Sequence, residues 1–206
     1  KKCGCFGDVS IFSFYPNKHI TTGEGGMVLC DDTEIDARLK SLRNLCFGEN
    51  RFVHESLGYN YRMTNMQAAL GVAQLENIDK IVDKKRWIGK TYNELLKDIS
   101  AINLPLKSTS YCENIYWVYT IVIKNDQKKN ARDIMNKLKK YKVGSRPFFY
   151  PMHKQPVFNK MGLFLEDKLK NSETIYEKGF YIPSGLALTS DQAIDVSNAL
   201  HELFVE

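Results

Sequence analysis

The first 45 residues show a hydrophobic pattern that predicts two strands followed by a helix. Residues 8–14 (D-V-S-I-F-S-F) alternate apolar and small polar side chains, and residues 27–30 (M-V-L-C) form a second short apolar run. The glycines between the two runs allow a tight reversal of the chain. Capping residues at positions 31–33 then precede apolar residues at helical spacing, which predicts a helix to about residue 45.

From residue 64 the apolar positions recur at three- and four-residue steps and predict one long helix to about residue 99. This helix is polar in its middle, at residues 79–85, and apolar again beyond it. Such a helix can leave one domain and enter another, so we expect a domain boundary near residue 80, with domains of residues 1–80 and 81–206.

The remaining pattern alternates strands and helices and therefore predicts an α/β or α+β packing. The predicted elements are a strand (116–123), a helix (131–141), a loop rich in proline and aromatic residues (146–158), a helix (166–178), a short apolar segment (180–183) and a last helix capped by Thr189 or Ser190.

Composition narrows the class of protein. The chain has 206 residues, is 43% hydrophobic, and is long enough to bury a substantial core. Its net charge of +5 is scattered, so lysine-rich helix faces explain it as well as an anionic partner does. Nucleic-acid binding is a further reading of this charge, but no clustered basic and aromatic motif supports it.

Cysteine usage and hydropathy indicate the compartment. Five cysteines, an odd number, are atypical of a secreted disulfide scaffold and favour the cytoplasm. Cys3 and Cys5 form C-x-C without a second pair, so we predict no metal site. No uncharged run reaches the roughly 18 residues of a membrane span, so we predict no membrane partner.

Lys18 is the candidate for chemistry, since it follows a buried strand and precedes a glycine-rich turn. Burial disfavours an ammonium group, so a lysine in a closed pocket can act as an amine nucleophile toward a carbonyl. Ser13, five residues earlier on the strand that leads to Lys18, offers a hydroxyl to a phosphate. On spacing alone, an ordinary surface lysine remains the commoner reading of such a position.

Ordered motifs along the whole chain resemble one enzyme family. S-F-Y-P-N-K (13–18), T-T-G-E-G-G-M (21–27), a block from G-Y-N-Y-R-M-T-N to Q-L-E (58–76), R-P-F-F-Y-P-M-H-K-Q-P (146–156) and P-S-G-L-A-L-T (183–189) are similar to the signatures of the DegT/DnrJ/EryC1/StrS aminotransferases. These enzymes act on nucleotide sugars with pyridoxal 5'-phosphate. Within the family, the Y-N-Y-R-M-T-N and F-F-Y-P-M-H wording is nearest to that of GDP-perosamine synthases.

The resemblance implies the fold type I architecture of pyridoxal-phosphate-dependent transferases. Residues 1–80 would be the carboxyl-terminal part of the large domain, with a mixed, mostly parallel sheet carrying the Schiff-base lysine. Residues 81–206 would be the small carboxyl-terminal α/β domain. Because the chain starts in the middle of the family pattern, we expect residues 1–80 to expose a sheet edge and an apolar face.

The resemblance also assigns the cofactor site. Lys18 would carry pyridoxal phosphate as a Schiff base and shuttle protons, and Ser13 would bind the cofactor phosphate. Asn60 would reach the cofactor phosphate of a neighbouring subunit, which implies a homodimer with shared active sites. Lysine stands where related sugar dehydratases have histidine, which favours transamination over dehydration. His19 follows it.

Substrate contacts are expected from two places. Arg62 is a candidate for an anionic group of substrate or cofactor, although an ion pair with Glu55 or Glu76 is a nearly equal alternative. In the 146–158 loop, His153, Tyr150 and Phe148 are candidates for the sugar or nucleotide. A histidine that only caps this loop against Tyr150 is the plainer reading of His153.

Together these features predict transfer of an amino group from glutamate to a nucleotide-linked 4-keto-6-deoxy sugar, as in GDP-perosamine synthases. Two alternatives stay open. The substrate is UDP-linked, or the chain is a non-catalytic remnant that mediates dimerisation or binding.

Overall fold

The computed structural model describes residues 1–50 and 52–205. The chain forms two compact units, Lys1–Asp79 and Lys80–Glu206. Within the described residues, none of the helices has both the length and the apolar character needed to cross a membrane.

The first unit holds a two-stranded antiparallel sheet and two helices. Strands β1 (Val9–Ser13) and β2 (Gly26–Cys30) pair from Val9 opposite Cys30 to Ser13 opposite Gly26. Helix α1 (Thr33–Arg43) and helix α2 (Asn65–Leu75) follow. Each helix begins at a side-chain cap that satisfies otherwise unpaired backbone N–H groups: Asp32 for α1, and a capping box of Thr64 and Gln67 for α2.

The first unit leaves much of its sheet uncovered, as expected from the sequence. Ile11 is 82% exposed, and side chains from both faces of the hairpin are exposed with it, namely Val9, Phe12, Met27, Val28 and Leu29. The expectation of a mostly parallel sheet is wrong for the described residues, where every strand pairing is antiparallel. Parallel pairing needs a crossover segment, usually a helix, and the link between β1 and β2 contains none.

The single long helix predicted for residues 64–99 is also wrong, because α2 ends at Leu75 and helix α3 spans Ile78–Leu96. The break lies at Glu76 and Asn77. The Asn77 side chain donates to Ala73 O at 3.0 Å, and its backbone N–H donates to Gln74 O. Asparagine competes in this way with the regular helical bonds, so the local side chain ends α2 despite continuous apolar spacing.

The second unit is built on a four-stranded antiparallel sheet in the order β3-β4-β6-β5. The strands are β3 (Ile102–Asn103), β4 (Tyr119–Ile123), β5 (Arg146–Pro147) and β6 (Gly179–Ile182). On β4, Tyr119, Ile121 and Ile123 point to one side and are at most 1% exposed. They join Ile88, Tyr92 and Leu96 of α3 in one apolar core. Strand β3 was not predicted, since two residues give no periodic signal.

The remaining helices of this unit are α4 (Ala131–Leu138), α5 (Pro156–Lys160), α6 (Lys170–Lys178) and α7 (Ser190–Val205), with short 3-10 turns at Lys139–Tyr141 and Met152–Lys154. The predicted 146–158 loop thus contains β5, a 3-10 turn and the start of α5. The helix expected from residue 166 begins only at Lys170. Thr189 caps α7, since its Oγ1 accepts from Gln192 N at 3.2 Å.

Candidate functional site

Lys18 lies in the turn that follows β1 and is half-buried. Its backbone N–H donates to Tyr15 O at 3.0 Å, and the Tyr15 N–H donates to Ser13 Oγ at 3.4 Å. Ser13 and Lys18 therefore flank a single turn centred on Tyr15. The two residues predicted to bind a phosphate and an aldehyde thus lie at the two ends of this turn.

The loop that carries Lys18 is closed by bonds to Phe14. The Phe14 N–H donates to Gly25 O at 2.9 Å, and Phe14 O accepts from Thr22 N at 3.0 Å and from Thr21 Oγ1 at 2.9 Å. Thr22 Oγ1 in turn donates to Glu24 O at 2.7 Å. The threonines and Glu24 thus shape the turn, as predicted.

Helix α2 holds the same loop from outside. Gln74 bonds both backbone groups of Thr21: its Oε1 accepts from Thr21 N at 3.0 Å and its Nε2 donates to Thr21 O at 2.7 Å. Gln67 Nε2 donates to Glu24 O at 3.2 Å. The lysine loop is therefore an ordered platform.

Gly25 closes this loop at a position that only glycine fits. Its φ of 153° is rare for residues with a side chain, and an added Cβ would collide with Thr22 Oγ1 and the Met63 methyl group. Gly25 is thus one of the glycines that permit the tight reversal predicted between the two strands.

Asn60 and Arg62 meet at Asn44, the residue that ends α1. Asn60 forms an isolated β-bridge with Asn44, and Arg62 Nη1 donates to Asn44 Oδ1 at 2.6 Å. Among the described residues, the side chain of Arg62 forms this bond rather than an ion pair with Glu55 or Glu76. These contacts place Asn60 and Arg62 on one short segment next to α1. Their roles toward cofactor and substrate stay predictions.

In the second unit, His153 is 5% exposed and is held by Glu173 of α6. His153 Nε2 lies 3.0 Å from Glu173 Oε1, and Lys154 Nζ donates to Glu173 Oε2 at 2.7 Å. The hydrogen bond from Lys154, followed by that from His153, lowers the pKa of Glu173 from 4.5 to about 2. One carboxylate thus fixes two consecutive residues of the 146–158 loop.

The aromatic residues of this loop lie beside one another on the surface. Phe148 contacts Phe149 edge to face with ring centroids 5.9 Å apart, and Tyr150 contacts Tyr176 in the same manner at 4.9 Å. Tyr150 is 40% exposed, which leaves its ring accessible. The hydrogen-bond partner of the His153 ring is Glu173. The plainer interpretation, in which His153 caps the loop against Tyr150, does not describe this contact.

Three residues that organise these groups were not predicted: Gln74, Asn44 and Glu173. Each acts on a residue distant in sequence; Gln74 and Thr21 are 53 positions apart, and Glu173 and His153 are 20 apart. None of them stands in a pattern that marks such a contact, so periodicity and spacing gave no signal for them.

The motifs that place these residues match a known family model. The model of the DegT/DnrJ/EryC1/StrS aminotransferase family matches residues 1–201.

The chain belongs to the DegT/DnrJ/EryC1/StrS aminotransferase family.

Relatives in this family agree with that assignment. GDP-perosamine synthase of Vibrio cholerae is 38% identical over 208 residues, which cover 99% of this chain and 55% of the relative. GDP-perosamine synthase of Escherichia coli O157:H7 is 33% identical over 205 residues, covering 99% of this chain and 54% of the relative. The chain therefore spans about half the length of the curated relatives it matches.

A solved structure gives the same fold. Helicobacter pylori PseC, an aminotransferase involved in the biosynthesis of pseudoaminic acid, superposes with a TM-score of 0.89 at 25% identity, covering all of this chain and 55% of PseC. The predicted fold type I class is confirmed by this match. The predicted family is confirmed as well.

The aminotransferases of this family depend on pyridoxal phosphate. The residues present in this chain fit that group. A primary amine (Lys18) and a hydroxyl (Ser13) flank one turn, and these are the groups that an aldehyde and a phosphate require. The loop that presents them is held by direct bonds to α2.

Proposed function

We propose that the protein to which this chain contributes is a pyridoxal-phosphate-dependent aminotransferase that moves an amino group from glutamate to a nucleotide-linked 4-keto-6-deoxy sugar. The proposal includes a GDP-linked substrate, a homodimer with shared active sites and a cytoplasmic location. The observation that carries it is the placement of Lys18 and Ser13 on one anchored turn in a chain of this family.

Similarity to GDP-perosamine synthases supports the substrate class. Two such enzymes are 38% and 33% identical to this chain across 99% of its length. The resemblance is distributed over both units, so it includes the 146–158 loop as well as the lysine loop. A role in polysaccharide or lipopolysaccharide synthesis follows for such a sugar product.

In this proposal each residue has a defined role. Lys18 Nζ would hold the cofactor and would carry a proton during amino transfer. Ser13 Oγ would hold the cofactor phosphate, together with Asn60 of a neighbouring subunit. When bound, pyridoxal phosphate supplies the electron-withdrawing ring that makes amino exchange possible.

The substrate is held by the other candidates. The Arg62 guanidinium binds an anionic group, because its planar fork matches carboxylate and phosphate oxygens. Tyr150 and Phe148 offer aromatic surface to the sugar or nucleotide, and His153 orients the loop from its buried position against Glu173.

The anchoring of the lysine loop explains how Lys18 is positioned. A reacting amine must stay within a few tenths of an ångström of its productive geometry. Gln74 and Gln67 tie both ends of the Thr21–Glu24 segment to α2. Motion of this segment would displace Lys18, so these glutamines support the chemistry without contacting the reactants.

A second candidate function is a non-catalytic binding module. The exposed apolar side chains of both faces of the β1–β2 hairpin are the surface with which such a module would bind a partner. A UDP-linked sugar is the alternative within the enzyme reading.

Cofactor attachment separates the enzyme from the binding module. The purified chain is mixed with pyridoxal phosphate, its absorbance is recorded, and the bond to lysine is trapped with borohydride before peptide mapping. We expect one modified peptide containing Lys18, lost in Lys18→Ala and kept in Lys2→Ala, an exposed lysine of the same unit. Labelling scattered over surface lysines, or no labelling, would support the binding module instead.

The substrate is then tested by activity. Formation of 2-oxoglutarate from glutamate is followed with GDP-linked and UDP-linked 4-keto-6-deoxy sugars. Turnover with the GDP-linked sugar at a higher kcat/KM supports the proposal, and a preference for the UDP-linked sugar supports the alternative.

A further inference from the structure

The positive charge of the chain is concentrated in one segment of the second unit. Residues 124–146 contain nine lysine and arginine residues and two acidic residues, whereas the rest of the chain contains 20 basic and 22 acidic residues. The rest of the chain is therefore slightly acidic, and this segment alone accounts for the net charge of +5. This concentration corrects the expectation that the charge is scattered.

Helix α4 directs the charges of this segment away from the core. Its apolar side chains, Ala131, Ile134 and Leu138, are at most 3% exposed and pack into the core of the second unit. The cationic side chains on the rest of α4 and on the turn that follows it are exposed, namely Arg132, Lys137, Lys139, Lys140 and Lys142. We call these five residues the cationic surface.

The charges of the cationic surface are not neutralised by ion pairs. Among the residues that the structure describes, none of these five side chains lies within ion-pair distance of a carboxylate. Lys139 Nζ donates to a side-chain amide oxygen of α4 at 3.1 Å. Two neighbouring carboxylates bond to neutral groups instead. Asp133 accepts from Asn130 Nδ2 at 2.8 Å, and Glu202 accepts from the Tyr141 hydroxyl at 2.8 Å.

The make-up of the cationic surface favours a broad anionic partner. Four of its five groups are lysines, whose compact charge on a flexible stem does not impose the planar geometry with which arginine binds a phosphate. Tyr141 is the one aromatic residue of residues 124–146, so nucleic-acid bases have little to stack on. It is also the one large apolar side chain that this segment exposes. Contact with a partner therefore depends on charge rather than on apolar insertion.

We propose that the cationic surface binds the anionic headgroups of a lipid bilayer and so holds the protein at a membrane surface. Each lysine or arginine near an acidic bilayer strengthens binding about fivefold, so the five groups together give a reversible attachment. Such attachment needs no membrane-spanning helix, and none is found in the described part of the chain. The expectation of no membrane partner rested on that absence and does not cover peripheral contact. The inference goes beyond the proposed function and does not depend on it.

The test is co-sedimentation of the whole chain with lipid vesicles at low and at high salt. We expect binding to vesicles of phosphatidylcholine mixed with phosphatidylglycerol, and no binding to vesicles of phosphatidylcholine alone. Raising the salt concentration should release the chain, because salt screens the attraction between exposed charges. The combined variant Lys137→Gln, Lys139→Gln, Lys140→Gln and Lys142→Gln should bind acidic vesicles about tenfold or more weakly.

A matched control removes the same amount of charge from other places in the second unit. It combines Lys90→Gln, Lys107→Gln, Lys168→Gln and Lys170→Gln, four exposed lysines outside residues 124–146. This control should keep most of its binding to acidic vesicles, because charges farther from the bilayer than a Debye length contribute little. Circular dichroism checks that both variants are folded.

Each result decides the matter. Absent binding to acidic vesicles, or an equal loss of binding in the two variants, would overturn the proposal. Equal binding to neutral and acidic vesicles would overturn it as well, and would indicate the exposed apolar residues of the β1–β2 hairpin. Binding of duplex DNA through the same lysines, without binding to vesicles, would assign the surface to nucleic acid. None of these measurements involves the cofactor or Lys18, so this proposal and the proposed function can fail separately.

Discussion

Gln74 bonds both backbone groups of Thr21, through Oε1 at 3.0 Å and Nε2 at 2.7 Å, and so joins the lysine loop to α2. The side-chain amide of Gln74 thus makes the same pair of hydrogen bonds to Thr21 that a residue of a neighbouring β-strand would make. This contact brings together the two motifs that identify the family, one around Lys18 and the other around residues 58–76.

Gln74→Ala is expected to loosen the lysine loop. It removes the two hydrogen bonds to Thr21, each contributing about 1 kcal/mol, together with a third bond to Leu70 O within α2. Local opening should become easier, and amide hydrogen exchange at Thr21 should speed up about tenfold or more. Hydrogen exchange resolved by residue measures this. Gln127→Ala, in the second unit, should leave exchange at Thr21 unchanged, and equal protection in both variants would show that the contact does not hold the loop.

Glu173 should protect the second unit against acid. Its pKa is lowered in the folded chain from 4.5 to about 2, first by Lys154 and then by His153. The carboxylate therefore stabilises the fold above about pH 4.5, and this contribution is lost as the pH falls toward 2. On acidification, Glu173→Gln should therefore unfold at a higher pH than the unmodified chain. The difference in unfolding free energy between the two proteins that comes from this carboxylate should vanish near pH 2.

Acid titration followed by circular dichroism tests this expectation. Glu94→Gln is the control, because Glu94 forms an exposed pair with Lys97, and such pairs contribute little. A shift of the acid midpoint in Glu94→Gln as large as that in Glu173→Gln would assign the effect to net charge instead.

Lys85 makes a prediction of the same sign at high pH. It is 6% exposed, its Nζ donates to Ser184 O at 2.6 Å, and burial lowers its pKa from 10.5 to about 8. Between these values the unfolded chain holds the proton that the folded chain has lost, so stability rises with pH. The Tyr92 hydroxyl donates to Pro183 O, the carbonyl next to the one that Lys85 contacts. Burial raises the pKa of Tyr92, so this side chain stays neutral between pH 8 and 10.5.

The measurement compares unfolding free energies of the unmodified chain and Lys85→Met from pH 7 to 10.5. We expect the difference to change in favour of the unmodified chain by on the order of 1 kcal/mol, after allowance for partial solvent screening. Lys85→Arg is the control, because a guanidinium does not lose its proton in this range. A difference that stays flat with pH would show that Lys85 is solvated.

Local signals in the sequence were enough to predict much of the fold. Asp32 and Thr64 mark helix starts because capping acts within three residues, and the alternation of residues 8–14 marks β1 because side chains alternate along a strand. Asn77 is a sequence signal for the end of α2, since an asparagine side chain often forms hydrogen bonds to nearby backbone groups. The apolar spacing on either side outweighed that signal.

The candidate site was predictable only where a motif carries it. Lys18, Ser13, Asn60 and Arg62 stand in family signatures, so the sequence alone was enough to name them as candidates. Their partners could not be named in this way, because a contact such as Glu173 with His153 depends on how α6 packs, and that is decided by the whole unit. The antiparallel pairing of β1 and β2 likewise depends on the path of the link between them.

Gly89 offers a prediction about the core of the second unit. A Cβ at this position of α3 would collide with the Tyr116 ring, which is 3% exposed and belongs to a residue with a φ of 49°. Neither the helix backbone nor the buried ring can easily give way. Gly89→Ala should therefore destabilise the chain by about 1 to 3 kcal/mol, although alanine favours helices by up to about 1 kcal/mol.

Chemical denaturation measures this change, with Gly144→Ala as the matched control because nothing lies within 4 Å of an added Cβ there. Gly144→Ala should lie near or slightly above the unmodified chain in stability, since it restricts the unfolded chain. If Gly89→Ala were as stable as Gly144→Ala, the ring of Tyr116 would have to move at no cost, and the close approach of α3 to Tyr116 would not be what requires glycine. The double variant Gly89→Ala with Tyr116→Ala then isolates the contact, because removing the ring should abolish the penalty of the added methyl group.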